Sequence, residues 1–256
     1  MTSSREIVIK VRGLQKRFGQ QIVFDNLNAD VYRGEILGLV GASGQGKSVL
    51  LRCITGLLKP EAGQIEIFGR DIDALSRFER IAMEARWGVL FQDGALFSAL
   101  TVLQNIQVPM REHLEIPQPI MDELAFLKLV MVGLPADAAH KYPSELSGGM
   151  RKRAGLARAL SLDPEIVFLD EPTSGLDPIG AAAFDRLIKR LQRTLGLSVY
   201  MVTHDLDSIF TVCDRVAVLA DGHIVRTGAP RELRKAPEHP WVEQYFCGER
   251  ARAVTA

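Results

Sequence analysis

The sequence predicts an α/β fold: a mainly parallel sheet flanked by helices, with a small antiparallel β subdomain and an inserted α-helical subdomain. Three observations carry that reading. The runs EILGLV (35–40), EIVFL (165–169), SVYMV (198–202) and RVAVLA (215–220) are nearly continuous in Val, Ile and Leu, as strands covered on both faces are. Segments of helical period lie between them, and strands alternating with helices imply an α/β sheet. The run at 35–40 also passes through a glycine-rich turn directly into a helical segment.

Taken in chain order, IVIKV (7–11) opens a stretch reaching Gly34 that fits an antiparallel hairpin, with its turn at Gly19, Gln20 and Gln21. A helix follows over 47–55, and IEIFGRDI (65–72) reads as a second short hairpin. From about 97 to 160 there is no clear strand pattern; Pro117 and Pro119 precede helical periodicity from Ile120 to Val132, and a further helix covers 151–160. This stretch is the helical insertion. Helical period returns over 181–195, between the strands at 165–169 and 198–202. There is no internal repeat and no low-complexity linker.

Composition excludes some functions. Lys plus Arg and Asp plus Glu both number 31, so the formal net charge is +0, and the basic footprint of a nucleic-acid binder is missing. No apolar stretch approaches the roughly 20 residues of a membrane span, and MTSSREIVIK lacks the apolar core of a secretory signal. The expected chain is cytoplasmic. Cys53, Cys213 and Cys247 are odd in number, far apart and without partners at ligand spacing, which implies reduced structural thiols.

The strongest chemical signal is Gly41-Ala42-Ser43-Gly44-Gln45-Gly46-Lys47-Ser48, which satisfies G-x-x-x-x-G-K-[ST] between a strand and a helix. Its glycines let backbone N–H groups turn inward around phosphate oxygens. Lys47 brings a point charge to the β- and γ-phosphates, Ser48 offers a hydroxyl to Mg2+, and the following helix aims its positive end at the same anion. Asp170 and Glu171 end the strand EIVFL. Two carboxylates at the C-terminal edge of a buried strand are costly unless something binds them. Mg2+ held through water by Asp170, with Glu171 polarising an attacking water, accounts for the pair; a plain turn cap before Pro172 is the alternative.

These residues resemble the ATPase subunits of ABC transporters. Leu146-Ser147-Gly148-Gly149-Met150 is similar to the signature motif and precedes the basic helix RKRAGLARAL. Phe18 matches the aromatic that stacks on adenine, Gln92 the Q-loop, Ser174-Gly175-Leu176-Asp177 the D-loop, and His204 the switch histidine, in the proper order from Ile7 to about Gly228. The resemblance implies a P-loop NTPase (RecA-like) core in a single domain, 1–256. Residues 1–96 and 161–240 would form the nucleotide-binding core with its β subdomain, 97–160 the helical subdomain, and 241–256 a C-terminal tail. It also implies ATP and Mg2+ as ligands. ATP would meet Phe18, residues 41–49, Gln92, Ser147, Gly148, Gly149 and Asp177, with Ser48, Gln92 and Asp170 on the metal and Glu171 and His204 in catalysis. Ser147, Gly148 and Gly149 would come from a second copy, in a head-to-tail dimer. Met150 and Val49 depart from the usual glutamine and threonine but remove no group the chemistry needs.

A narrower resemblance rests on GVLFQDGALFSALTV together with LSGGM. Both are similar to the Mla-type ATPases that work with MCE proteins in moving phospholipids between bacterial membranes. It implies a peripheral subunit on the cytoplasmic face of the inner membrane, attached to a permease with an MCE-domain partner. Another importer or exporter, or a soluble ABC ATPase, is the alternative, and direction of transport is not encoded in these motifs. The apolar run Ala95 to Leu100 fits either a permease-docking surface or internal packing. Trp241, Tyr245 and Phe246 at helical spacing fit docking onto their own domain or a contact with the neighbouring subunit.

Overall fold

The computed structural model describes residues 5–248. In chain order they form β1 (Ile7–Phe18), β2 (Gln21–Tyr32), β3 (Ile36–Val40), α1 (Lys47–Ile54), β4 (Ala62–Ile67), β5 (Arg70–Asp71), α2 (Arg77–Glu84) and β6 (Trp87–Leu90). Next come α3 (Val102–His113), α4 (Gln118–Met131), α5 (Gly148–Ala159), β7 (Ile166–Asp170), α6 (Pro178–Leu195) and β8 (Ser198–Val202). The last elements are α7 (Leu206–Val212), β9 (Arg215–Ala220), β10 (His223–Gly228), α8 (Pro230–Lys235) and α9 (Pro240–Cys247). Two compact units result, one from the chain up to Arg80 with the chain from Ser198 onward, the other from Ile81 to Leu197.

In the first unit, β1 and β2 form the expected hairpin, closing with Phe18 opposite Gln21, and the antiparallel sheet runs β2-β1-β4-β5. The second expected hairpin turns at Phe68 and Gly69, with φ of 51° and 73°, the left-handed pair that a tight two-residue turn demands. β3 lies parallel to β8 on one side and to β9 on the other, and β10 returns antiparallel to β9. Every residue of β3 and β8 is buried, which explains why both read as unbroken apolar runs. Cys53 and Cys213 are buried and in no disulfide, and burial pushes the Cys53 thiol up to about 11.

In the second unit, β6 and β7 pair in parallel, with Leu90 opposite Leu169. A Cβ at Gly88 would lie 1.9 Å from the carbonyl oxygen of Ala159, so glycine is what lets β6 meet the end of α5. α3 starts at a capping box: Thr101 Oγ1 accepts from the Gln104 amide at 3.3 Å, and Gln104 Oε1 accepts from the Thr101 amide at 2.9 Å. α3, α4 and α5 supply the expected helical stretch. The sequence reading did not anticipate β6, β10, α2, α7 or α8, all of them short. Among the described residues, no helix is long and apolar enough to cross a membrane.

Candidate active site

Within the first unit, β3 delivers the chain into the glycine-rich loop at Gly41, where a Cβ would sit 2.4 Å from the carbonyl oxygen of Leu219 in β9. Gly44 and Gly46 take left-handed φ values of 82° and 92°. Those two turns bend the backbone between Ser43 and Lys47 into a concave arc of amides. A side chain at Gly46 would strike Val23 and Phe24, so the arc is packed from behind by β2. α1 begins at Lys47, whose Nζ donates to the carbonyls of Gly41 at 2.8 Å and Ala42 at 3.0 Å. The ammonium is thus drawn across the mouth of the loop. Ser48 and Val49 follow in the first turn, half-buried, while Ser43 and Gly44 are exposed.

Phe18 ends β1 with half its surface exposed, and the Lys16 ammonium lies 5.2 Å from its ring centroid. Lys16 is itself fixed by Glu61 Oε1 at 2.9 Å and the Lys59 carbonyl at 2.8 Å. His204 follows β8 and is exposed; its carbonyl accepts the Tyr245 hydroxyl from α9 at 2.8 Å. Trp241 stacks on Tyr245 at 4.6 Å, and buried Phe246 meets Phe210 edge-on at 6.1 Å. The aromatic cluster therefore packs on its own unit. The rest of the expected tail, 249–256, lies outside the described residues.

Within the second unit, Asp170 is buried at the end of β7 and Glu171 follows with φ of 49°. Gln92, exposed, lies two residues beyond β6. One side chain joins the two segments: Lys152 Nζ donates to the Gln92 carbonyl at 2.9 Å and to the Glu171 carbonyl at 3.0 Å. Ser147 caps α5 by accepting the Met150 amide at 3.3 Å, so Ser147, Gly148 and Gly149 stand at that helix's positive end. Asp177 caps α6, taking the amides of Ile179 at 3.0 Å and Gly180 at 2.9 Å.

The apolar run is a presented loop. Arg158 donates to the carbonyls of Gly94 and Ala95, both at 2.8 Å. Asn105, fully buried, accepts the Phe97 amide at 2.8 Å and donates to the carbonyls of Phe97, Leu100 and Thr101. With its backbone so held, Phe97 is 53% exposed, its ring 5.8 Å from the Arg158 guanidinium. Leu96 and Leu100 are half-buried, and Ala95 and Ala99 are exposed. Sequence reasoning missed Lys152, Arg158 and Asn105. Lys152 had a signal: it shares a helical face with Gly155, Leu156 and Ala159, where a lysine is out of place.

Chemically, the first unit's arc of amides, lysine ammonium and serine hydroxyl suit a polyphosphate; in the second unit, the buried Asp170 carboxylate is of the kind that suits a hard cation. Among the described residues, no group of three or more His, Cys, Asp or Glu side chains could hold a metal by themselves. Mg2+ bound mainly through phosphate oxygens and water needs no such group.

A family model described as ABC transporter matches residues 24–174. The probable ribonucleotide transport ATP-binding protein mkl of Mycobacterium leprae is 42% identical over 244 residues, covering 95% of this chain and 70% of that protein. The intermembrane phospholipid transport system ATP-binding protein MlaF of Haemophilus influenzae is 40% identical over 242 residues, covering 94% of this chain and 91% of that protein. Among solved structures, the dimeric post-hydrolysis state of the ATP-binding cassette MJ0796, bound to ADP and Pi, matches with a TM-score of 0.79 and 30% identity, over 86% of this chain and 98% of that one.

Proposed function

Because the chain belongs to the ABC transporter family, with a P-loop NTPase core that binds and hydrolyses ATP with Mg2+, we propose that it is the motor of a bacterial phospholipid transporter working with a permease and an MCE-domain partner. The observation that supports the lipid cargo is extent of match: the chain runs along 91% of MlaF, against 70% of mkl. A ribonucleotide cargo is the second reading, favoured by the 42% identity to mkl.

In this proposal the amides of residues 41–49 and the Lys47 ammonium hold the β- and γ-phosphates, and Phe18 stacks on the adenine. Ser48, Gln92 and, through water, Asp170 hold Mg2+, which neutralises charge on the phosphates. Glu171 accepts the hydrogen bond that orients the attacking water, and His204 contacts the γ-phosphate. A phosphate cradle covers one side of the nucleotide only, and phosphoryl transfer depends on positioning and charge from all sides. Ser147, Gly148 and Gly149 of a second copy complete the site in a head-to-tail dimer, as the dimeric form of MJ0796 supports, and Asp177 lies against the ATP. The held loop at 94–100 receives the permease on the cytoplasmic face of the inner membrane, with Phe97 as its apolar anchor.

Affinity capture of the native membrane complex tests both parts. Wild-type protein is expected to retain a permease, an MCE-domain subunit and bound phospholipid. Phe97→Asp is expected to lose them while the isolated subunit keeps its thermal midpoint and ATP binding, because an aspartate there meets water until a partner buries it. Capture of a permease without MCE subunit or lipid, with turnover stimulated by ribonucleotides, overturns the lipid reading. A midpoint lower by many degrees in Phe97→Asp overturns the docking surface.

A further inference from the structure

We infer that Lys152 is a positioning residue for ATP hydrolysis, its single ammonium locking the main chain of Gln92 to the main chain of Glu171. The inference rests on the reading that Glu171 orients the attacking water. Lys152 is only 6% exposed, and lysine is rarely buried unless its charge is matched. Burial lowers its proton affinity, opposed by the charges of Asp93 and Glu171. An ammonium in such a place needs acceptors, and it has two, the carbonyls of Gln92 at 2.9 Å and Glu171 at 3.0 Å.

Those acceptors are not arbitrary. β6 and β7 are parallel neighbours whose pairing ends at Leu90 and Leu169, and Lys152 ties together the two chains just beyond that point. Glu171 has a φ of 49°, a region that a residue with a side chain rarely enters unless its surroundings hold it there. Its carbonyl accepts Lys152 Nζ and also the Ser174 amide at 3.2 Å, so two donors fix the peptide plane that follows Glu171. The direction in which the carboxylate leaves the backbone is set by that plane. The same ammonium fixes the peptide after Gln92, so a shift in the Gln92 segment pulls on the backbone of Glu171. Lys152 touches neither phosphate nor water in this scheme; it acts through the two residues it holds.

Three variants of the full chain test this, each read in two ways. Amide hydrogen exchange in nucleotide-free protein follows Gly94, which bonds to the Phe91 carbonyl at 2.8 Å, and Ser174, which bonds to the Glu171 carbonyl at 3.2 Å. Steady-state ATPase kinetics supply kcat and KM separately. Lys152→Met is unbranched, one bond shorter, and loses every donor. It is expected to speed exchange at both amides and to lower kcat about 10- to 100-fold, with KM within about twofold. Lys152→Gln, as short as Met but with two N–H donors, should fall between Met and wild type on both readouts. Glu171→Gln keeps the backbone bonds and should lose turnover with wild-type exchange.

Wild-type kcat and exchange in Lys152→Met overturn the inference. So does a Lys152→Gln protein no better than Lys152→Met, because a merely structural lysine gives no graded rescue. Should Lys152→Met not fold, Lys152→Gln decides alone: exchange and kcat must move together, and a change in only one of them, or in neither, overturns it. Normal turnover in Glu171→Gln instead removes the role of Glu171, while the exchange data still report on Lys152 separately.

Discussion

Glu171 holds its carboxylate at a backbone conformation that its neighbours oppose. The residue before a proline is normally extended, and Pro172 follows, yet φ at Glu171 is 49°. The position of the Asp170–Glu171 pair at the end of β7 was legible, because two acids ending an apolar strand stand out. The strain was not, because it comes from donors on other elements, Lys152 among them. Glu171→Gln keeps side-chain shape and backbone but removes the basic oxygen. Nucleotide binding is therefore expected to survive while phosphate release falls by about 10²- to 10⁴-fold. Filter-binding and phosphate-release assays on one preparation check this, and turnover near the wild-type rate removes Glu171 as the water-orienting group.

At the level of elements, the loop from Gly94 to Leu100 shows how a segment without regular structure is held. Asn105 in α3 serves it with both ends of its amide, and α3 itself is fixed at its start by the Thr101–Gln104 box. Asn105→Ala strands the Phe97 amide and takes one donor from each of three carbonyls, of which Phe97 and Thr101 keep the amides of Leu100 and residue 105. The expected loss is about 1–3 kcal/mol of stability by urea unfolding, with faster amide exchange concentrated at 97–101. An unchanged midpoint shows that the loop does not depend on Asn105. The motif T-x-x-Q at 101–104 could have located the start of α3, whereas β6 was hard to see. It has four residues, one of them a glycine that reads as a strand breaker until the close approach of Ala159 explains it. Longer strands were plain because burial on both faces writes itself as continuous Val, Ile and Leu.

For the molecule as a whole, the proposal depends on a second copy. Ser147 is exposed and heads α5, so its surroundings within one chain tolerate a larger side chain. Ser147→Arg is expected to leave ATP binding by the monomer intact while abolishing ATP-dependent dimerisation and hydrolysis. Size-exclusion chromatography with ATP, run beside the ATPase assay, reads both; a dimer that hydrolyses normally ends the head-to-tail scheme. Motif order along the chain singled out the residues proposed to meet across the two copies, but not those that brace the chain around them, since Lys152, Arg158 and Asn105 act through backbone carbonyls that no motif records.

The closeness of main chains in the second unit has its own outcome. Gly88 and Gly155 carry no functional group, yet a methyl on the first would overlap the Ala159 carbonyl and one on the second would crowd Leu90 and Gly94. In a deep mutational scan scored by growth, both positions will look as unforgiving as Glu171. The three can be told apart by protein abundance: the glycine variants disappear from the cell, whereas Glu171→Gln accumulates as intact, inactive protein. Intolerance at these three positions would thus have two sources, close main-chain packing at the glycines and, in the proposed reading of Glu171, catalysis.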